Sequence, residues 1–172
     1  MADNADNKDN KDQASEQATG GTNEPAMKFI IQRIYIKDSS FETPNTPDIF
    51  KTEYKPNIQF NMNTKTNNFQ DDFHEVILTL TAEVKTSDDK VFFIAEVQQA
   101  GIFNIEGFEG DRLTEVLHIT CPNVLYPYAR EAVDNLAIKG SFPPLMLAPV
   151  NFESAFLQAR DQQAKQIDET AS

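Results

Sequence analysis

Three stretches of this chain divide their side chains between two faces with a period of two, and one of them alternates apolar and polar residues cleanly. Residues 58–64 set Ile58, Phe60 and Met62 against Gln59, Asn61 and Asn63. Residues 73–85 place Val76, Leu78, Leu80, Ala82 and Val84 on one face, and residues 91–100 separate Val91, Phe93, Ala95 and Val97 from Phe92, Ile94, Glu96 and Gln98. A period of two is that of a strand with one face buried. Only short polar connections, 65–72 and 86–90, separate the three runs, so neighbours pair as an antiparallel meander. A fourth strand is read at 27–36, where both faces are largely apolar, and a Pro-containing loop at 38–48.

After residue 110 the period lengthens. Leu113, Val116 and Leu117 have helical spacing, and Cys121 and Pro122 are read as a break. A longer helix then carries Leu125, Tyr128, Ala129, Ala132, Val133 and Leu136 as its stripe, with Gly140 as its stop. Residues 141–150 form an extended Pro-rich apolar loop, and Asn151 caps a last helix bearing Phe152, Phe156 and Ala159. Strands first and helices second predict an α+β domain, a four-stranded antiparallel sheet with helices packed on one face.

The ends differ from this body. Residues 1–26 contain no Val, Ile, Leu, Phe, Tyr or Trp but carry six acids and two lysines. Such a segment cannot bury enough apolar surface to offset its ordering entropy. The expected organisation is a disordered acidic tail at 1–26, one domain at 27–160 and a flexible tail at 161–172. No apolar run near the N-terminus has the form of a secretory signal. The longest uncharged apolar stretch, 142–150, holds three prolines and is too short to span a bilayer. A single cysteine, Cys121, makes no internal disulfide, in keeping with a reducing compartment. A soluble, cytoplasmic protein is expected.

Charge narrows the partners. The whole chain carries 15 basic and 27 acidic residues, a formal net charge of -12. Phosphate binding calls for clustered Lys and Arg, so nucleic acid is disfavoured and basic partners are favoured. Catalytic signals are poor. No phosphate loop, zinc-protease or nucleophile-elbow motif is present. His74 and His118 are scattered, so no metal is expected. Cys121 reads better as a buried thiol than as a nucleophile. Glu106, Glu109 and Asp111 sit in a Gly-rich loop with no nucleophile or metal ligand nearby, which leaves a hydrolase reading weak. The stronger signal is apolar residues in loops: Ile102, Phe103, Ile105 and Phe108 among glycines, and Phe142, Leu145, Met146 and Leu147 among prolines. Such loops either cover a core or line a groove for apolar segments of a partner.

Four segments carry a resemblance: QRIYIKDSSFETPN (32–45), EVQQAGIFNIEG (96–107), CPNVLYPYARE (121–131) and GSFPPLMLAPVNFESAF (140–156). In this order and spacing they resemble the SecB family of bacterial protein-export chaperones, over about residues 28–157. The resemblance implies a homotetramer, a dimer of dimers, that binds unfolded precursor proteins and delivers them to the SecA ATPase. It implies no enzymatic activity and no cofactor. Carried onto this sequence, the SecA-docking positions are Asp38, Glu42, Ile94 and Glu96. The groove positions are Tyr54, where the family has Trp, with Phe103, Phe108, Phe142, Leu145, Phe152 and Phe156. The subunit-assembly positions are Ala95, Val97 and Gln99. A chaperone of the same fold dedicated to one partner, as in antitoxin-associated relatives, is the alternative within this class.

Overall fold

The structure is a computed structural model, and it describes residues 27–170. Four strands, β1 (Lys28–Glu42), β2 (Asn57–Gln70), β3 (Phe73–Lys85) and β4 (Val91–Glu106), form one antiparallel sheet in the order β1-β4-β3-β2. A 3-10 turn at Asp48–Lys51 lies in the connection from β1 to β2. The helices are α1 (Gly110–Glu115), α2 (Cys121–Lys139) and α3 (Phe152–Thr170), with a π-helical turn at Val116–Thr120 joining the first two.

The alternation dictates how the sheet is covered. Val76, Leu78, Leu80, Ala82 and Val84 of β3 share one face with Phe93, Ala95 and Val97 of β4, and all are fully buried. Opposite them α2 buries Leu125, Ala129, Val133 and Ala137, spaced four residues apart. Such spacing makes a narrow stripe along one side of a helix. Tyr128, read in sequence as part of the stripe, is exposed instead. The two alanines let α2 lie close to the sheet, and β4 meets it with Gly101. A Cβ there would stand 2.7 Å from the Phe103 ring and 3.0 Å from Leu125.

The sequence reading departs from the structure at the strand ends. β1 does not stop at Ile36 but runs to Glu42, so Asp38 and Glu42 are strand residues and not loop residues. Residues 65–70 belong to β2 and residues 101–106 to β4, where a turn and a flexible loop are expected from composition. Pairing with a neighbouring strand outweighs weak intrinsic preference at these polar and Gly-containing positions. The break expected at Cys121–Pro122 is absent, since the backbone is helical from Gly110 to Lys139. In a regular α-helix the Pro122 ring would meet the carbonyl of His118; the wider π turn lies at this point and removes the conflict. The boundary expected at residue 160 does not show in the backbone, which stays helical to Thr170. The tail expected at 1–26 lies outside the described residues, as do residues 171–172.

Because Gly101 marks the close approach of α2, Gly101→Val is expected to destabilise the fold by about 1–3 kcal/mol through overpacking. A lowered denaturant midpoint at unchanged slope is the measurement that checks it.

Candidate functional site

The face of the sheet that no helix of the described residues covers is largely polar, with Ile77, Ile94, Ala100 and Ile102 among its apolar residues. β3 turns Glu75, Thr79, Thr81 and Glu83 to it, and β4 turns Ile94, Glu96 and Gln98. β1 brings its two acids to this face only because its register shifts. Tyr35 stands beside Ala100 on the open face, and simple alternation would put Lys37, Ser39 and Phe41 there as well. A bulge between Ile36 and Asp38 resets the phase. Beyond it Asp38 pairs with Gln98, Ser40 with Glu96 and Glu42 with Ile94, while Phe41 turns inward onto the Phe93 ring, 5.2 Å between centroids.

Asp38, Glu42, Ile94 and Glu96 therefore stand on one face within three rows of the sheet. The next strand adds Glu83 opposite Ile94 and Thr81 opposite Glu96. The Thr81 hydroxyl donates to Glu96 Oε2 at 3.1 Å, and Lys85 Nζ lies 2.9 Å from Glu83 Oε2. Glu83 was not singled out from the sequence, yet its parity within β3 signals its place. Four carboxylates around one apolar side chain suit a cationic segment with an apolar anchor.

Farther along the same face Glu75 anchors a polar network. Lys37 Nζ donates to both its oxygens, at 2.7 and 2.8 Å, Asn67 Nδ2 donates at 3.0 Å, and the Tyr35 hydroxyl also donates to it. Burial works to raise the Glu75 carboxyl, but the three donors and the Lys37 charge overcome it and hold the group down at about 2. Burial, helped by the Glu75 charge, pushes the Tyr35 phenol up to about 12. Lys37 is the extra residue of the bulge, so one irregularity supplies a donor to this network and sets the phase of the acidic corner.

On the helix side, the seven expected groove residues do not gather in one place. Phe103 is fully buried and stacks on Phe29 at 5.6 Å. Phe142 is buried among Phe41, Phe50, Tyr54, Phe92 and Phe93. Phe152 is buried against Tyr126, 5.8 Å between ring centroids. These three are core in this chain and present little surface to a partner. Tyr54, Phe108, Leu145 and Phe156 are half-buried at its edge. Phe108 lines an open cleft of about 590 Å³ with Met27, Arg112, Val116 and Ile119. Phe156 lines a cleft of about 310 Å³ between α3 and Met62, Asn63 and Thr64 of β2. Leu145 lies in the Pro-rich segment, which is strapped along α2 by side chains four residues apart. The Tyr126 hydroxyl donates to Ala148 O at 2.5 Å, Arg130 Nη1 donates to Leu147 O at 3.3 Å, and Asp134 Oδ1 accepts the Leu145 N–H at 2.8 Å.

Ala95, Val97 and Gln99, expected at a subunit contact, are 0%, 0% and 3% exposed. They lie on the helix-covered face, and Gln99 Nε2 donates to Tyr35 O at 2.8 Å. A second subunit approaching this face meets α2 first. Nothing in the chemistry of the remaining candidates favours catalysis. Burial pushes the Cys121 thiol up to about 12 and lowers both His74 and His118. Glu106 is held by Lys28 at 2.6 Å. Among the described residues no three His, Cys, Asp or Glu side chains are grouped to hold a metal ion, and no helix is long and apolar enough to cross a membrane.

Comparison with known proteins agrees with the resemblance. The family model described as SecB, preprotein translocase subunit SecB, matches residues 22–163. A protein-export protein SecB of Stutzerimonas stutzeri is 49% identical over 161 residues, covering 92% of this chain and 98% of the relative. One from Pseudomonas paraeruginosa is 48% identical, covering 89% and 96%, and one from Marinobacter nauticus is 48% identical, covering 84% and 87%. Among solved structures, a SecB-like chaperone of Mycobacterium tuberculosis bound to a peptide from an antitoxin superposes with a TM-score of 0.59. It covers 71% of this chain and 90% of the other at 16% identity, a likeness of fold.

The Glu75 network has a definite pH signature. A carboxyl held below its ordinary value of 4.5 stabilises the fold above that value, and the contribution is lost as pH falls through the folded value of about 2. With allowance for nearby solvent, Glu75→Gln is expected to cost about 1–2 kcal/mol at pH 7. The difference from wild type should shrink between pH 4.5 and 2, which paired urea titrations measure.

Proposed function

This chain belongs to the SecB family, and on that premise we propose that it holds unfolded precursor proteins on its apolar clefts and delivers them to the SecA ATPase through the open acidic corner of its sheet. It is a protein-export chaperone and not an enzyme, in line with the family match and the relatives named protein-export proteins. The cytoplasm is the compartment such a holdase works in.

The observation that carries the docking assignment is the register. A bulge in an edge strand turns Asp38 and Glu42 to the face that holds Ile94 and Glu96. Client holding is supported by the half-buried aromatic and aliphatic side chains of the clefts. Burial of apolar surface is non-directional, so it accepts many sequences. Several clefts on one assembly raise the effective affinity for a single long client. Release then follows from competition by the motor and needs no hydrolysis by this chain.

Assembly as a homotetramer, a dimer of dimers, is part of the same proposal. β1 is an edge strand whose outer side is unpaired in the described chain, and it exposes Ile30, Ile31 and Ile36. Long edges with exposed apolar residues are covered in stable proteins. The outer side of α2 exposes Tyr128 and Ile138 as well.

The two activities should separate in one variant. Reversing the corner with Asp38→Lys and Glu96→Lys is expected to abolish SecA binding while leaving capture of an unfolded precursor within about twofold. In the wild type, motor binding should weaken steeply as salt rises, because exposed charges are screened beyond about 8 Å at physiological ionic strength. Client binding should respond far less. Titrations of the purified variant with SecA and with an unfolded precursor decide it, and full retention of motor binding removes this face from the mechanism.

A further inference from the structure

Helix α3 is fastened to the body at two rings one turn apart. Phe152 is buried against Tyr126. Phe156 stacks on His118, 5.7 Å between centroids and 17° between planes. The first fastening is apolar and core-like; the second is titratable. His118 stands in the π-helical turn, and among the elements this turn is the principal packing partner of α3. π turns inside helices are frequent at working parts of proteins.

The surroundings of His118 fix what a proton would do there. Its clefts are lined by Met62, Asn63 and Thr64 of β2, by Asp111 and Thr114 of α1, and by Phe152, Ala155, Phe156, Ala159 and Arg160 of α3. Asp111 and Arg160 are the charged groups of this set, and β2 contributes none. The Arg160 guanidinium already lies over the Phe156 ring, 5.7 Å from its centroid. An imidazolium at His118 would place a second cation on the same ring. The ring itself attracts a cation, but two like charges sharing it repel one another. Burial of His118 also disfavours the imidazolium and holds the imidazole below its ordinary value of 6.5.

We propose that the His118–Phe156 stack is a pH-sensitive latch: the neutral ring keeps α3 docked, and its protonation frees the helix from Phe156 onward while Phe152 holds its base, widening the cleft against Met62 of β2. The inference deepens the client-holding reading, since this cleft is one of those assigned to clients, but the latch itself is testable without any client. The sign follows from linkage. Undocked His118 titrates near 6.5 and docked His118 lower, so acid favours the undocked state, and the docking equilibrium shifts by up to about tenfold per pH unit between the two values.

Hydrogen exchange of the full-length assembly between pH 7.5 and 5, with each amide normalised to its unstructured rate, reads this directly. In the wild type, amides of residues 155–160 should lose protection by up to about tenfold per pH unit below 6.5, while those of β4 keep theirs. His118→Phe retains a ring for the stack, and His118→Gln retains a polar side chain without a titrating ring; in both, protection of 155–160 should be independent of pH. Loss of protection in α3 and β4 together would mean global acid unfolding and overturn the latch. So would an α3 that stays protected at pH 5 in the wild type, or one that loosens equally in both variants. Failure on any of these counts leaves precursor binding at pH 7.5, and thus the client-holding reading, intact.

Discussion

The packing of α2 onto β3 and β4 is the interaction on which the rest of the molecule depends. Leu125, Ala129, Val133 and Ala137 lie on a floor of Val76, Leu78, Leu80, Ala82, Phe93, Ala95 and Val97, all fully buried. Burial of a large aliphatic or aromatic side chain contributes about 1.5–3 kcal/mol, so this seam outweighs any single polar contact in the chain. It also fixes the register. In a strand, a slip of one residue would turn every one of these side chains outward. With one face committed to α2, the other is left to carry polar residues, and it is there that the carboxylates stand. The acidic face is thus a by-product of how the core is made.

The sheet and its helical cover are legible in the amino-acid order because two different periods write them. β3 alternates apart from Ile77, and the residues named from its pattern are all buried. The failures fall where a period is broken or where partners matter more than local preference. Asp38 and Glu42 read as loop residues because serine, proline and asparagine surround them, yet pairing with β4 carries the strand through to Glu42. Cys121–Pro122 reads as a helix stop, since no local rule anticipates a π turn that accommodates the proline. Glu83 was within reach, because it shares the parity of Thr79 and Thr81.

The aromatic residues teach a different lesson. Loops rich in Phe and Leu were equally compatible with a groove and with a lid over the core, and the chain divides them between both uses. Phe103, Phe142 and Phe152 are interior. Tyr54, Phe108, Leu145 and Phe156 remain at the rim, where their clefts lie against β2, α1 and α3. Burial depends on which side of a strap or helix faces inward, and composition does not encode that. Placement of the Pro-rich segment follows from Tyr126, Arg130 and Asp134, whose polar ends hold its backbone at intervals of one helical turn.

The bulge at Lys37 has a consequence for how such a chain can change over generations. Most connections in a small domain tolerate the gain or loss of a residue, because their slack absorbs it. Deletion of Lys37 alone would close the bulge, leave Ile36 beside Gln99 and Asp38 beside Gln98 in regular alternation, and keep Phe41 inward and Asp38 outward. The acidic corner would survive, while Glu75 would lose its ammonium partner. The loss of this one codon should accordingly be better tolerated than its place inside a strand suggests, and the length and the chemistry of the stretch can change separately over generations.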